Sequence, residues 1–519
     1  MKYDAIVIGA GPNGLTAAAY LARRRRKVLV LESADEIGGH ARTIEFAPGY
    51  RAPLNDDAGW VPPAVRRLVG LKSQKIVGGS VSVSVVGADG QVLSLPARLE
   101  AGAAGASIRA HSERDAKLWV PFVTQLHNFA SVLGALYRIA PPDIDDTSLK
   151  ALLPLVGVGR RLRTLGAEDM TEFLRVMPMS IQDLLDDTFE SELLKAAIAS
   201  CAIRDIRQGP RSGGTTFNLL HYLVGAPLGS VRARKRFLDG PDAFAAAAAG
   251  VAKKRKAEIR TNARVERITV KNHAVTGVVL SGGEEVAAPL VVSTLDPKRT
   301  LLGMVDPVWL DPEFTLAVKN VKLRGCTAYV FYAMDGEIQD TSRTFASTVS
   351  LTPTTVALEK AADAAKYGEV SKDPHIEFFV PTMRWGHLAP AGKHIVVARV
   401  QYAPYQLKAG EWNHDRACAL SEQVTTAIAR AIPGFKDSIE HQAVFTPRDI
   451  EERFGASEGA LTQGEMTLDQ ILFMRPVASW GRYAMPVDGL FLGGAGAHPG
   501  PGVLGGAGYL AARAAVKGR

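Results

Sequence analysis

The sequence predicts an α/β protein in which a parallel, nucleotide-type sheet is intertwined with a second domain. Three observations predict it. A βαβ unit fills about the first thirty residues. A short apolar run, a Gly-rich loop and an Ala-rich stretch return near the other end of the chain, from Leu490 onward. The 519 residues exceed what one simple core accommodates.

The elements follow in order. Tyr3 to Ile8 is an apolar run that ends at Gly9, and Asn13 to Arg25 has the alanine and leucine of a buried helix. Lys27 to Leu31 is a second apolar run, closed by Glu32. Short β-like runs lie around Lys75 to Leu95. Ser112 opens a helix, with Asp115 three residues on as a capping-box variant. That helix carries Trp119, Phe122, Leu126, Phe129 and Leu133 at helical spacing, a stripe that suits a core or a substrate channel. Ser180 to Ile203 reads as a further helix, so residues 110–225 are expected to be mostly helical. Strands are expected over Lys256 to Thr294, with a turn at Ser281-Gly282-Gly283. Residues 325–402 read as strand-like and 411–432 as helical. A strand Leu490 to Gly493 and a helix from about Leu504 close the chain, and no internal repeat is visible.

The sharpest motif is Gly9-Ala10-Gly11-Pro12-Asn13-Gly14. It lies between a strand and a helix, where a dinucleotide fingerprint must lie. Gly9 permits the turn, Gly11 admits a pyrophosphate to the backbone, and Gly14 lets helix and strand approach. The helix start supplies free N–H groups and a positive dipole. Glu32, 18 residues beyond Gly14, is placed to accept ribose hydroxyls and to repel a 2′-phosphate. Next comes Ser33-Ala34-Asp35-Glu36-Ile37-Gly38-Gly39-His40-Ala41-Arg42. Its Gly pair resembles the second signature of the glutathione-reductase-type FAD fold. That family usually has arginine after the glycines; here His40 stands there and Arg42 two further on, and either cation could face the phosphates. The third motif runs from Gly489 to Gly506, and its Gly494, Gly496, Val503 and Leu504 are expected beside the flavin end of the cofactor.

With these motifs the chain resembles the phytoene desaturase and carotene isomerase superfamily of FAD oxidoreductases. Within it, the nearest likeness is to the pyridine nucleotide-disulfide oxidoreductase domain-containing group. The likeness covers nearly the whole chain. It rests on Gly9 to Gly14, Val292 to Pro297, Gln401-Tyr402-Ala403-Pro404-Tyr405, Phe473 to Val477 and Gly494 to Gly500. Ala497 replaces a usual threonine, and Asp239-Gly240-Pro241 is a reduced form of a mid-chain glycine pattern. The resemblance implies a glutathione-reductase-type Rossmann FAD-binding domain (residues 1–75, 230–300 and 450–519) interleaved with a mixed α+β substrate domain (76–229 and 301–449). It implies an apolar, often isoprenoid or lipid-like substrate, and membrane association in many members. The segment from Glu258 to Ile268 is similar to the one that holds adenine in this fold, with Val265 at the contact.

Composition narrows the alternatives. The net charge is +8, but the cations fall in short clusters (Arg23 to Lys27, Arg160 to Arg163, Arg232 to Arg236, Lys253 to Lys256), and no nucleic-acid-binding signature accompanies them. The cluster at Arg23 to Arg26 ends the first helix, opposite its phosphate end, and suits a solvated face. Three dispersed cysteines, Cys201, Cys326 and Cys418, include no CxxC, which argues against dithiol redox chemistry and for a reducing, cytoplasmic setting. A strand pattern starts by Asp4, so no leader is expected. Gly489 to Ala512 carries no formal charge but holds nine glycines and two prolines, unlike a membrane span. No metal site is expected, since the histidines form no HExxH or HxxxH. Gly455-Ala456-Ser457-Glu458-Gly459 matches a nucleophile elbow, yet Glu451, Glu452 and Arg453 precede it instead of an apolar strand. Ala151 to Val158 followed by Arg160, Arg161 and Arg163 fits either a core segment or a peripheral membrane contact.

The expected activity is transfer of hydride from an apolar substrate to FAD, as in a dehydrogenase or desaturase, with oxygen or a quinone as final acceptor. A redox-neutral double-bond isomerase, a flavin amine oxidase and a non-catalytic FAD-binding regulator are the alternatives. No second Gly-rich turn of dinucleotide type follows residue 40, so nicotinamides are expected to be poor reductants. His498 and Tyr402 are the side chains offered for catalysis, each equally suited to a structural role, as is Tyr405.

Overall fold

The computed structural model describes residues 3–57, 59–72, 76–78, 81–99, 103–142, 148, 153–232, 235–336, 345 and 347–517. A five-stranded sheet carries the first motif. Its strands run in the order Leu490–Leu492, Val291–Ser293, Ala5–Ile8, Val28–Leu31, Glu258–Arg260. Every neighbouring pair is parallel, with Ile6 beside both Leu29 and Val291, and Val291 beside Leu490. The central strands are buried on both faces, which is why they read as unbroken apolar runs and not as alternations. Three helices, Pro12–Arg23, Ala243–Lys254 and Gly506–Lys517, join this core. Their buried faces are mostly alanine (Ala17 to Ala19, Ala248, Ala249, Ala252, Ala511, Ala512), so the helices approach closely. The antiparallel strands Val265–Lys271, Ala274–Leu280 and Glu285–Ala287 flank the sheet.

The second body is a seven-stranded mixed sheet, ordered Ile439–Phe445, Thr327–Asp335, Lys393–Gln401, His375–Phe379, Thr348–Ser350, Val81–Val86, Val92–Pro96. A helical layer packs beside it: Glu113–Leu136, Val156–Val176, Ile181–Asp186, Glu192–Ala202 and Thr215–Leu223. Trp119, Phe122, Leu126, Phe129 and Leu133 all enter the core of that layer. Ser112 Oγ accepts the Asp115 amide at 3.1 Å, half of the expected box. The Asp115 carboxylate does not return to the cap but takes the amides of Glu190 and Ser191, tying two helices together.

Two readings change. The stretch from Ser180 to Ile203 is two helices, the second restarted by a Ser191 cap. Residues 325–402 are not continuously strand-like: Thr355–Lys366 is a helix, capped by Thr354 Oγ1 on the Ala357 amide. Its Leu358, Ala361, Ala362 and Ala365 recur at helical spacing and join the helical core. The helix Pro312–Lys319 packs through Phe314 and Val318 on the parallel-sheet core.

Candidate cofactor and active site

The first turn of helix Pro12–Arg23 has no side-chain cap, because its N-cap is Gly11. Its leading N–H groups are therefore open to an anion. A Cβ added to Gly14 would lie 1.9 Å from the Gly9 carbonyl oxygen, so helix and strand meet only through glycine there. Gly11 differs. A Cβ there would meet only the Gly39 Cα, at 3.9 Å, an ordinary contact, while one on Gly39 would lie 3.2 Å from the Gly11 Cα, so the two glycine-bearing turns lie against each other. Gly38 donates its amide to the Ala10 carbonyl at 2.9 Å and fixes the second turn against the first.

Glu32 is buried at the end of its strand. Oε2 accepts the Ala10 amide at 2.7 Å, and Oε1 accepts the Ala34 amide at 3.0 Å and the Ser33 hydroxyl at 3.3 Å. The segment before Val265 runs alongside, Ala263 donating to the Glu32 carbonyl and Asn262 to that of Ala34. Val265 itself is buried and paired with Leu280. The uncapped helix start, the facing glycines and the anchored carboxylate fit an adenine dinucleotide.

From Pro12 a cleft of about 990 Å³, counting its solvent-filled mouth, leads away from this turn. His40 and Ala41 line it, with Gly59, Pro501, Gly502 and Leu504. Desolvation lowers the imidazole pKa of His40. Arg42 turns elsewhere: its Nη1 donates to the Glu36 carbonyl at 2.9 Å and its guanidinium lies over Phe454. Trp60 and residues 502–504 pair through Trp60 N–H to the Gly502 carbonyl and Leu504 N–H to the Trp60 carbonyl, both 2.8 Å. Val503 points into the helical core.

The glycines of the return loop are demanded by protein neighbours. A Cβ at Gly494 would sit 2.3 Å from Gln463 Oε1, and one at Gly496 would sit 2.6 Å from Pro297 Cδ. Arg475, almost wholly buried, holds this loop. Its Nε and Nη2 donate to the Ala495 carbonyl at 2.9 and 2.7 Å, and Nη2 also reaches the carbonyls of Thr462 and Gly464. Sequence alone gave Arg475 no role.

Neither side chain offered for catalysis lines the cleft. The Tyr402 hydroxyl donates to the Gln208 carbonyl at 2.8 Å within the helical core. His498 Nε2 lies 3.3 Å from the Leu136 carbonyl, and burial pushes its pKa down to about 4. The Tyr405 hydroxyl bonds Glu451.

The far wall brings together residues that sequence reasoning missed: Asn55, Asp57, Arg204, Asp205, Tyr222, Arg236 and Trp385. Arg204 Nη1 donates to Asp57 Oδ2 at 2.8 Å, both side chains being buried. Asp205 takes Arg399 Nη2 at 2.5 Å and the Tyr222 hydroxyl at 3.0 Å. Behind them Arg232 Nη1 donates to Glu377 at 2.7 Å. Against the penalty of burial, Arg232 and the other cations around Glu377 hold its carboxyl down at about 2. The one available signal was charge inside apolar runs: Glu377 in His375–Phe379 and Arg399 in Lys393–Gln401. Apolar residues complete the cleft, among them Leu54, Phe237, Phe244, Leu461 and Leu504. Among the described residues no group of side chains could hold a metal ion.

A family model for flavin containing amine oxidoreductases matches residues 13–517. The chain is 32% identical to the pyridine nucleotide-disulfide oxidoreductase domain-containing protein 2 of Rattus norvegicus, over 98% of this chain and 93% of that one. It is 25% identical to a neurosporene-forming phytoene desaturase of Rhodobacter capsulatus, over 96% and 91%. Its fold is similar to that of cyclohexylamine oxidase from Brevibacterium oxydans, with a TM-score of 0.58 at 14% identity, over 100% of this chain and 98% of that one.

Proposed function

We propose that this chain, which belongs to the flavin containing amine oxidoreductase family and is an FAD-dependent oxidoreductase, acts as a dehydrogenase or desaturase on an apolar, isoprenoid- or lipid-like substrate. The observation that carries the reading is the cleft. It opens from the glycine turn between Leu54, Phe237, Phe244, Leu461 and Leu504, and these apolar walls suit a hydrocarbon.

FAD, when bound, supplies the hydride acceptor. The protein's part is binding, orientation and exclusion of water. The open amides after Gly11, with Gly39 opposite, would hold the diphosphate; Glu32 would hold the ribose; the stretch through Val265 would flank the adenine. His40, not Arg42, stands on the cleft side as the neighbouring cation or donor. Gly59, Pro501, Gly502 and Leu504 would bound the ring end, and Arg475 keeps the loop before them in place. This supports a division into an FAD-binding domain (1–75, 230–300, 450–519) and a substrate domain (76–229, 301–449), with the helix Pro312–Lys319 packing across the boundary.

Anaerobic incubation of the yellow holoprotein with isoprenoid polyenes and with primary amines tests the reading. Flavin bleaching by the isoprenoids supports it. Hydrogen peroxide and aldehyde from amines replace it with amine oxidation, and bleaching by neither class replaces it with a non-catalytic role. Double-bond migration without net redox marks the isomerase. Oxygen and a quinone are the acceptors to compare in reoxidation.

Peripheral membrane contact belongs to the same reading. Leu153 and Val156 are exposed to 70% and 62%, beside the exposed Arg160, Arg161 and Arg163 on helix Val156–Val176. Apolar residues beside cations suit an anionic lipid surface. Ala151 and Leu152 lie outside the described residues, and among those described no helix is long and apolar enough to cross a membrane. Flotation with anionic but not neutral vesicles, lost on charge reversal at Arg160 and Arg161, is the expected result. The free thiols Cys201, Cys326 and Cys418 support a cytoplasmic setting.

A further inference from the structure

The charged wall of the cleft is uneven. Asp57 and Asp205 are each closed by a hydrogen-bonded arginine, and so is Glu377 behind them. Arg236 is the exception. Its Nε donates to the Asp56 backbone carbonyl at 2.9 Å. Among the described residues its ion-pair partner is Asp56, whose Oδ2 lies 3.8 Å from Nη2, outside hydrogen-bond distance. That carboxylate already accepts the Thr348 hydroxyl and lies 3.9 Å from Arg232. Among the described residues Arg236 Nη1 has no hydrogen-bond partner, although the side chain is only 5% exposed.

A buried guanidinium offers five donors in a planar fork that matches an oxyanion. Leaving such a donor unmade in the interior is costly, and the cost is recovered when an anion arrives. The surroundings point the same way. Burial first, with Arg384 and Arg232 as like charges and only partial relief from Asp56 and Asp57, pushes the Arg236 pKa down to about 10. The guanidinium stays charged at neutral pH, with Nη1 facing no hydrogen-bond acceptor among the described residues. Phe237, Phe244 and Trp385 line the same stretch of cleft.

We propose that the cleft takes an apolar substrate bearing one oxyanion head, a carboxylate or a phosphate, bound by Arg236. This rests on the reading of the cleft as the substrate site and narrows it from hydrocarbons in general to amphiphilic acids. The ion pairs of Arg204, Asp57, Asp205 and Arg399 then form a closed wall that holds the fork in position. The apolar residues carry the chain.

Titration of the FAD-loaded protein with decanoate, decyl phosphate and decan-1-ol reads the head group directly, by flavin absorbance and calorimetry. The expected result is binding of at least one anion about tenfold or more tighter than the alcohol, one charge-assisted hydrogen bond's worth of discrimination. The better of the two anions identifies the source. Arg236→Met is expected to lose the preference and keep its FAD, and Arg236→Lys to recover part of it. Equal binding of acid and alcohol by the unmodified protein overturns the anionic head and leaves the apolar reading standing, a result that does not depend on whether either variant folds. Retention of the preference in Arg236→Met, or loss of FAD from it, also overturns the assignment. Acetate binding as tightly as decanoate breaks the apolar reading but keeps the anion site. No binding by any of the four probes overturns both.

Discussion

The two walls of the cleft are built on opposite plans. The cofactor side comes largely from residues close in sequence: Gly9 to Gly14, Glu32 and Gly38 to Ala41 lie within one βαβ unit and its following turn. Its contacts are backbone to backbone, or backbone amide to the Glu32 carboxylate, and Gly14 is required by space. The opposite side assembles Asp57, Arg204, Asp205, Arg232, Glu377 and Arg399, drawn from loops, helix ends and two strands of the mixed sheet. Its contacts are side-chain ion pairs out of water. A local plan leaves a spacing in the sequence; a distributed one does not.

The wall of ion pairs should give the largest effect when broken. Arg204→Met leaves Asp57 without its hydrogen-bonded cation in a buried site, where removing one partner costs about 3–5 kcal/mol. Denaturant unfolding of that variant beside the double variant Arg204→Met with Asp57→Leu measures the pairing. A single variant no less stable than the double one would show that the pair is not buried as described.

On the cofactor side, two glycines one turn apart should part company. Gly14→Ala drives a methyl into the Gly9 carbonyl and should cost about 1–3 kcal/mol or more of stability. A Cβ on Gly11 meets only an ordinary contact, the Gly39 Cα at 3.9 Å, so Gly11→Leu should unfold close to the parent and yet purify colourless, its side chain standing in the diphosphate's place. Full flavin occupancy in Gly11→Leu would sink the cradle.

Acid sharpens the contrast further. Burial pushes His375, His221 and His498 down to about 4 from their ordinary 6.5. The unfolded chain binds protons there that the fold refuses, so their share of stability is full above about pH 6.5 and is lost as pH falls toward 4. Glu377, held at about 2, contributes stability present above the ordinary carboxyl value and lost only as pH falls on toward 2. The urea midpoint is therefore expected to fall in two stages. His375→Gln should flatten the first, and an unchanged slope between pH 6.5 and 4 in that variant counts against the assignment. Least effect of all is expected from NADH and NADPH. The described residues form one parallel nucleotide-type sheet, and Gly87 to Gly90 is merely a turn between two strands. Rapid, saturable bleaching by micromolar NADPH in anaerobic stopped flow would refute this.

What was legible in the sequence follows the same division. The Gly9 turn, Glu32, the strand Val265–Lys271 and the return strand at Leu490 were readable because spacing and apolar runs encode them. The helix Thr355–Lys366 was lost among β-like runs because strands lie on either side of it, although Leu358, Ala361, Ala362 and Ala365 recur at helical spacing. His498 and Tyr402 drew attention because each is a polar group inside a family motif, yet both spend their hydrogen bonds on backbone carbonyls in the core. Arg236 was readable only as one of a cluster of cations. Its place on the cleft depends on Asp56 and on a strand pairing with Ile76–Gly78, far away along the chain.

The last strand and last helix have a consequence for how the protein comes into being. Leu490–Leu492 forms one edge of the parallel sheet, and Gly508 packs so closely on Asn13 that a Cβ there would lie 1.9 Å from its carbonyl. The helix Pro12–Arg23 therefore waits for Gly506–Lys517, which lies far along the chain. Until residues 490–517 are synthesised, the glycine turn has an incomplete sheet beneath it and lacks the helix that packs on Asn13. Cofactor capture then needs both stretches at once, and a ribosome stalled anywhere between Arg23 and Gly489 carries a protein with its fingerprint already made and nothing to hold with it.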